Sequence, residues 1–259
     1  MKLDCVLTAT DNNPLYVDFI PIFIKSWKKL YPYVDIKIIF INNDIPQHLI
    51  EYKDNLILFE PIEGIMTSFI AQFIRLLYPC ILDEYKNGVM ITDMDMLPMS
   101  STYYTENIKN FSDDKFIYYR EACLYDYHQI AMCYNIGLPS VWREIFEISN
   151  LNDIRELLKN IYSTIEYNGI PGQKGWSTDQ IYLYKKVFKW SKNSNRFVIM
   201  KDKNTGFKRL DRGTFTLSLN DTLINNIISE VYTDYHALRP YLKYKEVNDK
   251  IVDLLPLKN

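Results

Sequence analysis

The stretch GVMITDMDMLPMS, residues 88–100, carries two carboxylates two positions apart, Asp93 and Asp95, at the end of an apolar run. On a regular strand, residues i and i+2 point to the same face. At a strand end the backbone turns, and either carboxylate can reach into a cleft. Two such anions repel each other and raise a pKa unless a cation neutralises them. A divalent ion held by oxygen ligands does so. The alternative is a surface turn with two solvated aspartates, and the apolar GVMIT ahead of the pair argues against an edge turn.

Two other charged residues stand in informative places. Arg75 lies in a segment that is apolar nearly all round, and its polar stripe is Ser68, Gln72 and Arg75, at spacings of four and three. A helix that apolar is buried, and a buried Arg needs an anionic partner. That partner is either Asp93, a structural pairing, or a bound nucleotide. Asp179 follows GIPGQKGWST, whose three Gly and one Pro let backbone approach a ligand. Ser177 or Thr178 can cap the helix that starts there. Asp179 then stands in the first turn, where the helix N-terminus favours the anion. It is either a cap or a group that faces a substrate.

These residues need a scaffold, and the chain supplies one. LDCVLTAT, DIKIIFINND, NLILFE and GVMITDMD read as strands, and PLYVDFIPIFIKSWKKLYP and IMTSFIAQFIRLLYPCIL read as helices between them. This alternation predicts a parallel sheet covered by helices over the first ~100 residues. Ligands bind beyond the carboxyl ends of such strands. Thr8, Ala9, Thr10 and Asp11 lie at one end, Asn42, Asn43 and Asp44 at another, and Asp93 and Asp95 at a third. Farther on, KFIYYR and QIAMCYNIG read as strands, and PSVWREIFEIS, LNDIRELLKNIYSTI and QIYLYKKVFKW as helices. The tail from about residue 200 reads as short strands and turns. No repeat, linker or domain break interrupts the chain, so residues 1–259 are expected to form a single domain.

Composition narrows the classes. A net charge of −2 gives no polyanion-binding surface, so nucleic acid is not an expected partner. The 21 Tyr and 13 Phe suit polar, ring-shaped ligands, although biased base composition also gives many Tyr beside abundant Ile, Asn and Lys. Cys5, Cys80, Cys123 and Cys133 lack paired spacing and sit in apolar stretches, as buried free thiols do. MKLDCVLTAT reads as a strand rather than a signal peptide. No apolar run approaches the ~20 residues that span a bilayer. The expected location is cytoplasmic, or the host cytoplasm for a viral protein.

DMD after a hydrophobic strand, inside such a sheet, resembles the DxD motif of GT-A fold glycosyltransferases. FIAQFIRLLYPCILDEYKNGVMITDMDMLP resembles the family's Arg-bearing helix, Pro, apolar pair and DxD strand. GWSTDQ resembles the acidic loop and helix start that face DxD across the sugar, and DYHALRP resembles the late His of the metal site. The order and spacing match across nearly the whole chain. The Arg-bearing helix is similar to that of glycogenin and bacterial galactosyltransferases, and virus-encoded members are similar too.

The resemblance implies an α/β, Rossmann-like GT-A fold with a mixed, mostly parallel central sheet flanked by helices. Residues 1–100 would bind the nucleotide, and residues 101–259 the acceptor, with a late metal-site segment. Thr8, Ala9, Thr10, Asp11, Arg75, Asp93 and Met94 would hold the nucleotide. Asp93, Asp95 and His236 would hold Mn²⁺ or Mg²⁺, a mixed oxygen and nitrogen set. A lone His is otherwise an ordinary satisfied residue. Tyr134, Asn135, Gly137 and Trp176 would contact acceptor and sugar, and Asp179 would act in catalysis. On the residues alone, AMCYNIGLPSVW is equally an ordinary strand and turn. The implied activity is transfer of a sugar from a UDP-sugar to a hydroxyl of a glycan, protein or other acceptor. Two alternatives stand beside it. One is a phosphatase of the haloacid dehalogenase type, whose DxD instead opens the domain and continues with Thr or Val two positions on. The other is a non-catalytic nucleotide-sugar-binding module.

Overall fold

The run LDCVLTATD forms strand β1 (Leu3–Asp11), an interior strand of the main sheet. The computed structural model describes residues 1–215 and 218–258. On one side of β1 lie β2 (Asp35–Ile41) and then β3 (Leu56–Phe59), and on the other β4 (Gly88–Ile91), all parallel. Val6, Leu7, Ile38, Ile39, Val89 and Met90 are buried, which is why these strands read as continuous apolar runs.

After β4 the chain turns through the two aspartates into the short strand β5 (Met96–Pro98). It then adds β6 (Phe116–Tyr118), β7 (Asn135–Gly137) and β8 (Phe197–Ile199) to the main sheet, in the order β3-β2-β1-β4-β7-β6-β8. Only β7 runs against its neighbours β4 and β6, while β8 is parallel to β6. The sheet is therefore mixed and mostly parallel. A second, three-stranded sheet has the order β5-β10-β9, with β9 (Arg209–Asp211) and β10 (Asp234–His236) from the tail.

Helices cover both faces. Helix α1 (Ile20–Leu30) buries Phe23 and Trp27 against one side, in a core shared with Ile251 and Val252 of the late helix Lys245–Asp253. Helix α2 (Thr67–Leu77) covers the other side, with helices Pro139–Phe146, Leu151–Tyr162 and Thr178–Ser191 packed around it. Phe69, Ile70, Phe73, Ile74, Leu76 and Leu77 of α2 are each at most 1% exposed. Burial of such a side chain stabilises by roughly 1.5–3 kcal/mol, so α2 is held by packing rather than by caps. No helix among the described residues is long and apolar enough to cross a membrane.

Two expectations change here. The tail is more helical than its sequence suggested, with helices Asp221–Ile228 and Lys245–Asp253 among its strands and turns. Their apolar positions are few and broken by Asn, Asp and Lys, which hid the helical period. Cys5, Cys80 and Cys133 are buried, but Cys123 is exposed on a surface turn.

A buried ion pair holds β10 in place. Asp234 is fully buried and accepts from Arg209 at Nε (2.9 Å) and Nη2 (2.6 Å), and from the hydroxyl of Tyr134 (2.7 Å). Tyr134 therefore does not face a cleft as an acceptor platform. Its ring packs edge-on against Tyr104, and its hydroxyl serves Asp234. Asn135 is fully buried too, its amide donating to Ala131 O (2.8 Å) and Met132 O (3.1 Å). Gly137 lies in the core beneath Phe116, Val141 and Trp142. Asn135 and Gly137 lie in β7 and Tyr134 directly before it, and all three are buried.

Tyr134→Phe removes one bond to a buried carboxylate and should destabilise by about 1–3 kcal/mol. Urea unfolding measures this. Binding of small ligands at the sheet's carboxyl edge should stay at the wild-type level, and a selective binding loss at unchanged stability would contradict this placement.

Candidate active site

The carboxyl ends of β1 and β4 open onto a cleft of about 290 Å³. Ala9, Thr10 and Asp11 line it from β1, and Asp93, Met94 and Asp95 from the turn after β4. Ser68, Gln72 and Arg75 line it from α2. The polar stripe of that apolar helix is thus the face it turns to the cleft. Gly169, Pro171 and Trp176 come from the loop before the helix Thr178–Ser191, and Asp179 and Gln180 from its first turn. The tail contributes Arg212, His236 and Arg239. Thr8 does not reach the cleft. It is fully buried within β1, three residues before the strand's last residue, Asp11.

Arg75 is the centre of the charged groups. Its Nη1 donates to Asp93 Oδ1 and to Thr92 O (3.3 Å), its Nη2 to Asp179 Oδ2 (3.3 Å), and its Nε to Gln72 O (3.1 Å). Burial works to raise the Asp93 carboxyl, but the guanidinium beside it holds that carboxyl below its ordinary value. Asp179 is only 2% exposed, and burial pushes its carboxyl up to about 6 even though Arg75 pulls the other way. Desolvation thus outweighs the favourable helix N-terminus expected for this residue. The helix is not capped by Ser177, whose side chain accepts no backbone N–H. Thr178 donates its hydroxyl back to Gly175 O (2.8 Å), and Asp179 Oδ1 accepts the Gln180 N–H at 2.8 Å.

The loop ahead of this helix depends on Gly175. It has φ +79, and a Cβ there would stand 2.4 Å from Glu166 O. Only glycine gives both the conformation and the close approach. This packing holds the loop against Tyr167, whose ring rests on Phe69 of α2 with centroids 5.3 Å apart.

The tail reaches the site because β10 pairs with β5. The register sets His236 opposite Met96, and the Ala237 N–H donates to Asp95 O at 2.9 Å. His236 Nε2 then lies 3.7 Å from Asp95 Oδ2, and Nδ1 lies 3.1 Å from Asp211 Oδ2. A carboxylate only accepts, so the Nδ1 contact with Asp211 calls for a proton on Nδ1; in the neutral ring Nε2 would then be the nitrogen left free to bind a metal. This is how a metal-binding histidine is usually oriented.

Asp95 is itself 4% exposed and accepts from Arg212 Nη1 at 2.6 Å, with Arg239 Nη1 at 3.5 Å. Among the described residues no three His, Cys, Asp or Glu side chains are already gathered around one point. The donor chemistry nevertheless fits a hard divalent cation: two carboxylates and an oriented imidazole share one wall of the cleft.

Arg212, Arg239, Tyr16 and Gln180 also line the cleft, and the motif reading did not reach them. Arg239 stands three residues after His236, so a late cation beside the late His was a visible signal. Arg212 and Tyr16 are ordinary turn and loop residues in the sequence, and only the pairing of β9, β10 and β5 brings Arg212 to Asp95.

No protein-family model matches the chain, and no curated protein matches it. Solved structures do. The galactosyltransferase LgtC, solved with donor and acceptor sugar analogues, is 12% identical over 98% of this chain and 97% of its own, with a TM-score of 0.50. The glycosyltransferase GlyE of Streptococcus pneumoniae TIGR4 is 16% identical over 97% of this chain, with a TM-score of 0.52. The match takes in 63% of the GlyE chain, so this chain spans less than two thirds of that protein. At these identities the likeness is one of fold, and the fold is the mixed α/β GT-A architecture of solved glycosyltransferases.

Proposed function

We propose that the chain is a glycosyltransferase that moves a sugar from a UDP-sugar to an acceptor hydroxyl. The observation that carries this reading is the convergence of Asp93, Asp95, His236, Arg75, Arg239 and Asp179 in one cleft at the carboxyl edge of the sheet. Carboxylates alone would repel a diphosphate. With a divalent cation and two arginines beside them, the same wall attracts one.

Asp93, Asp95 and His236 would hold the cation, Mn²⁺ or Mg²⁺. Bound there, it would supply Lewis-acid stabilisation of the departing diphosphate. Arg239, over the Tyr16 ring at 5.2 Å, is available to the phosphate oxygens. Ala9, Thr10, Asp11 and Met94, which line the cleft, would hold the nucleoside. Trp176 offers the sugar an aromatic wall.

Asp179 faces the same cleft with both oxygens already held, one by Gln180 N–H and one by Arg75. A fixed, buried anion of this kind suits stabilisation of the positive sugar centre that forms as the glycosidic bond breaks. Arg75 in turn keeps Asp93 and Asp179 close without mutual repulsion.

The dehalogenase-type alternative needs the first aspartate free as a nucleophile. Here Asp93 is bound to Arg75, and three strands of the sheet precede the one that leads into it.

Two outcomes test this reading. UDP at about 100 times its dissociation constant, added to the protein already in Mn²⁺, should add about 2.7 kcal/mol of stability, with slow release of UDP from a UDP-sugar when no acceptor is present. EDTA or Asp95→Asn should remove both effects. UDP-sugar binding without any turnover would leave only a binding module.

The second outcome concerns pH. The Asp179 carboxyl titrates at about 6 in the folded protein against an ordinary 3.8. The raised value means that ionisation withdraws stability as pH climbs between the two, and that the anion is present above about 6. Turnover that needs the anion therefore rises through pH ~6. Asp179→Asn should lower turnover by ~100-fold, flatten that limb and leave UDP binding in place. A variant within a few-fold of wild type, changed only in melting temperature, would make Asp179 a structural residue.

A further inference from the structure

Asp95 is a buried carboxylate, and such a group needs a cation beside it. The chain supplies its own. Arg212 Nη1 lies 2.6 Å from Asp95 Oδ2, closer than Arg239 (3.5 Å) or His236 Nε2 (3.7 Å). The same Nη1 also donates to Ala237 O at 3.1 Å. Among the described residues Asp95 is the one carboxylate that Arg212 pairs with. Arg239 differs, because it also donates to the Tyr16 hydroxyl and lies over that ring. Arg212 sits on the turn after β9, where the Gly213 N–H donates to Asp211 Oδ1 at 2.7 Å. Its guanidinium is held at its tip, on a short turn.

We propose that Arg212 is a placeholder cation for Asp95, and that it makes binding of a divalent metal conditional on a nucleoside diphosphate. The inference rests on the sugar-transfer reading above. Arg212 occupies the Asp95 oxygen that a metal ion would use. To give it up without a new partner, the guanidinium would stand unpaired beside a doubly charged cation. Coulomb repulsion at a partly buried site opposes this. A diphosphate changes the balance. Its oxygens offer Arg212 planar, two-point acceptance, which a guanidinium matches better than an ammonium does. Asp95 is then released at the moment its ligand arrives. By linkage, the nucleotide tightens the metal by the same factor as the metal tightens the nucleotide.

The test titrates Mn²⁺ alone, and then Mn²⁺ with saturating UDP, following the free-ion signal by electron paramagnetic resonance. Wild type, Arg212→Met and Arg212→Gln are compared. Wild type should bind Mn²⁺ weakly alone and about tenfold or more tightly with UDP. Arg212→Met should bind Mn²⁺ alone about tenfold more tightly than wild type, and UDP should then add little. Arg212→Gln keeps a donor for Ala237 O and should show the same direction, so it carries the test if the methionine variant does not fold. A merely structural Arg212 predicts the opposite sign, with both affinities weakened. That result, or unchanged affinity for Mn²⁺ alone in a wild-type background that responds to UDP, overturns the proposal. Wild type that takes up neither Mn²⁺ nor UDP would instead overturn the sugar-transfer reading itself.

Discussion

The buried guanidinium of Arg75 is the constraint on which the site depends. It joins α2, the turn after β4 and the first turn of the helix Thr178–Ser191 through two carboxylates that would otherwise repel. None of the three groups is stable alone at that depth, since an isolated buried charge costs several kcal/mol. Together they fix the distance between Asp93, on the turn after β4, and Asp179, on the first turn of its helix. The apolar surroundings of α2 matter for the same reason. They exclude water, strengthen the ion pairs and raise the cost of losing any one of them.

The tail completes the cleft by a different physics. Its strands are three residues each and pair at the edge of the DMD turn. Short strands give weak register on their own. Here the register is set by buried polar pairs: Asp234 with Arg209 and Tyr134, and Tyr235 with Asn248 at 2.7 Å. A one-residue slip would break these pairs and carry His236 and its partner Asp211 away from Asp95. The site therefore draws on the whole length of the chain, with about 140 residues between Asp95 and His236.

Much of this was legible in the sequence where one pattern dominated. The parallel half was visible because both-sides burial leaves continuous apolar runs, and its polar strand ends stand out against them. Arg75 was visible because it interrupts an otherwise apolar helix; of its two readings, the partnership with Asp93 is seen, and the side chain also lines the cleft. Tyr134, Asn135 and Gly137 were misplaced because an aromatic, an amide and a glycine in a row look alike in a sugar site and in a crowded core. Burial, which the sequence does not state, separates the two. Asp179 was placed in the right turn but given the wrong electrostatics, since helix-end stabilisation is visible in sequence and desolvation is not. Arg212 carried no signal at all. Its place beside Asp95 depends on the pairing of β10 with β5, more than a hundred residues away in the chain.

The central claim is that one metal ion and one nucleoside diphosphate meet at the wall made by Asp93, Asp95 and His236. Crystals grown with UDP and Mn²⁺, with data collected at the manganese absorption edge, test it most directly. The account predicts one strong anomalous peak between these three side chains, touching both phosphates, with the uridine towards the end of β1. A manganese peak elsewhere, or UDP bound away from this cleft, would contradict it.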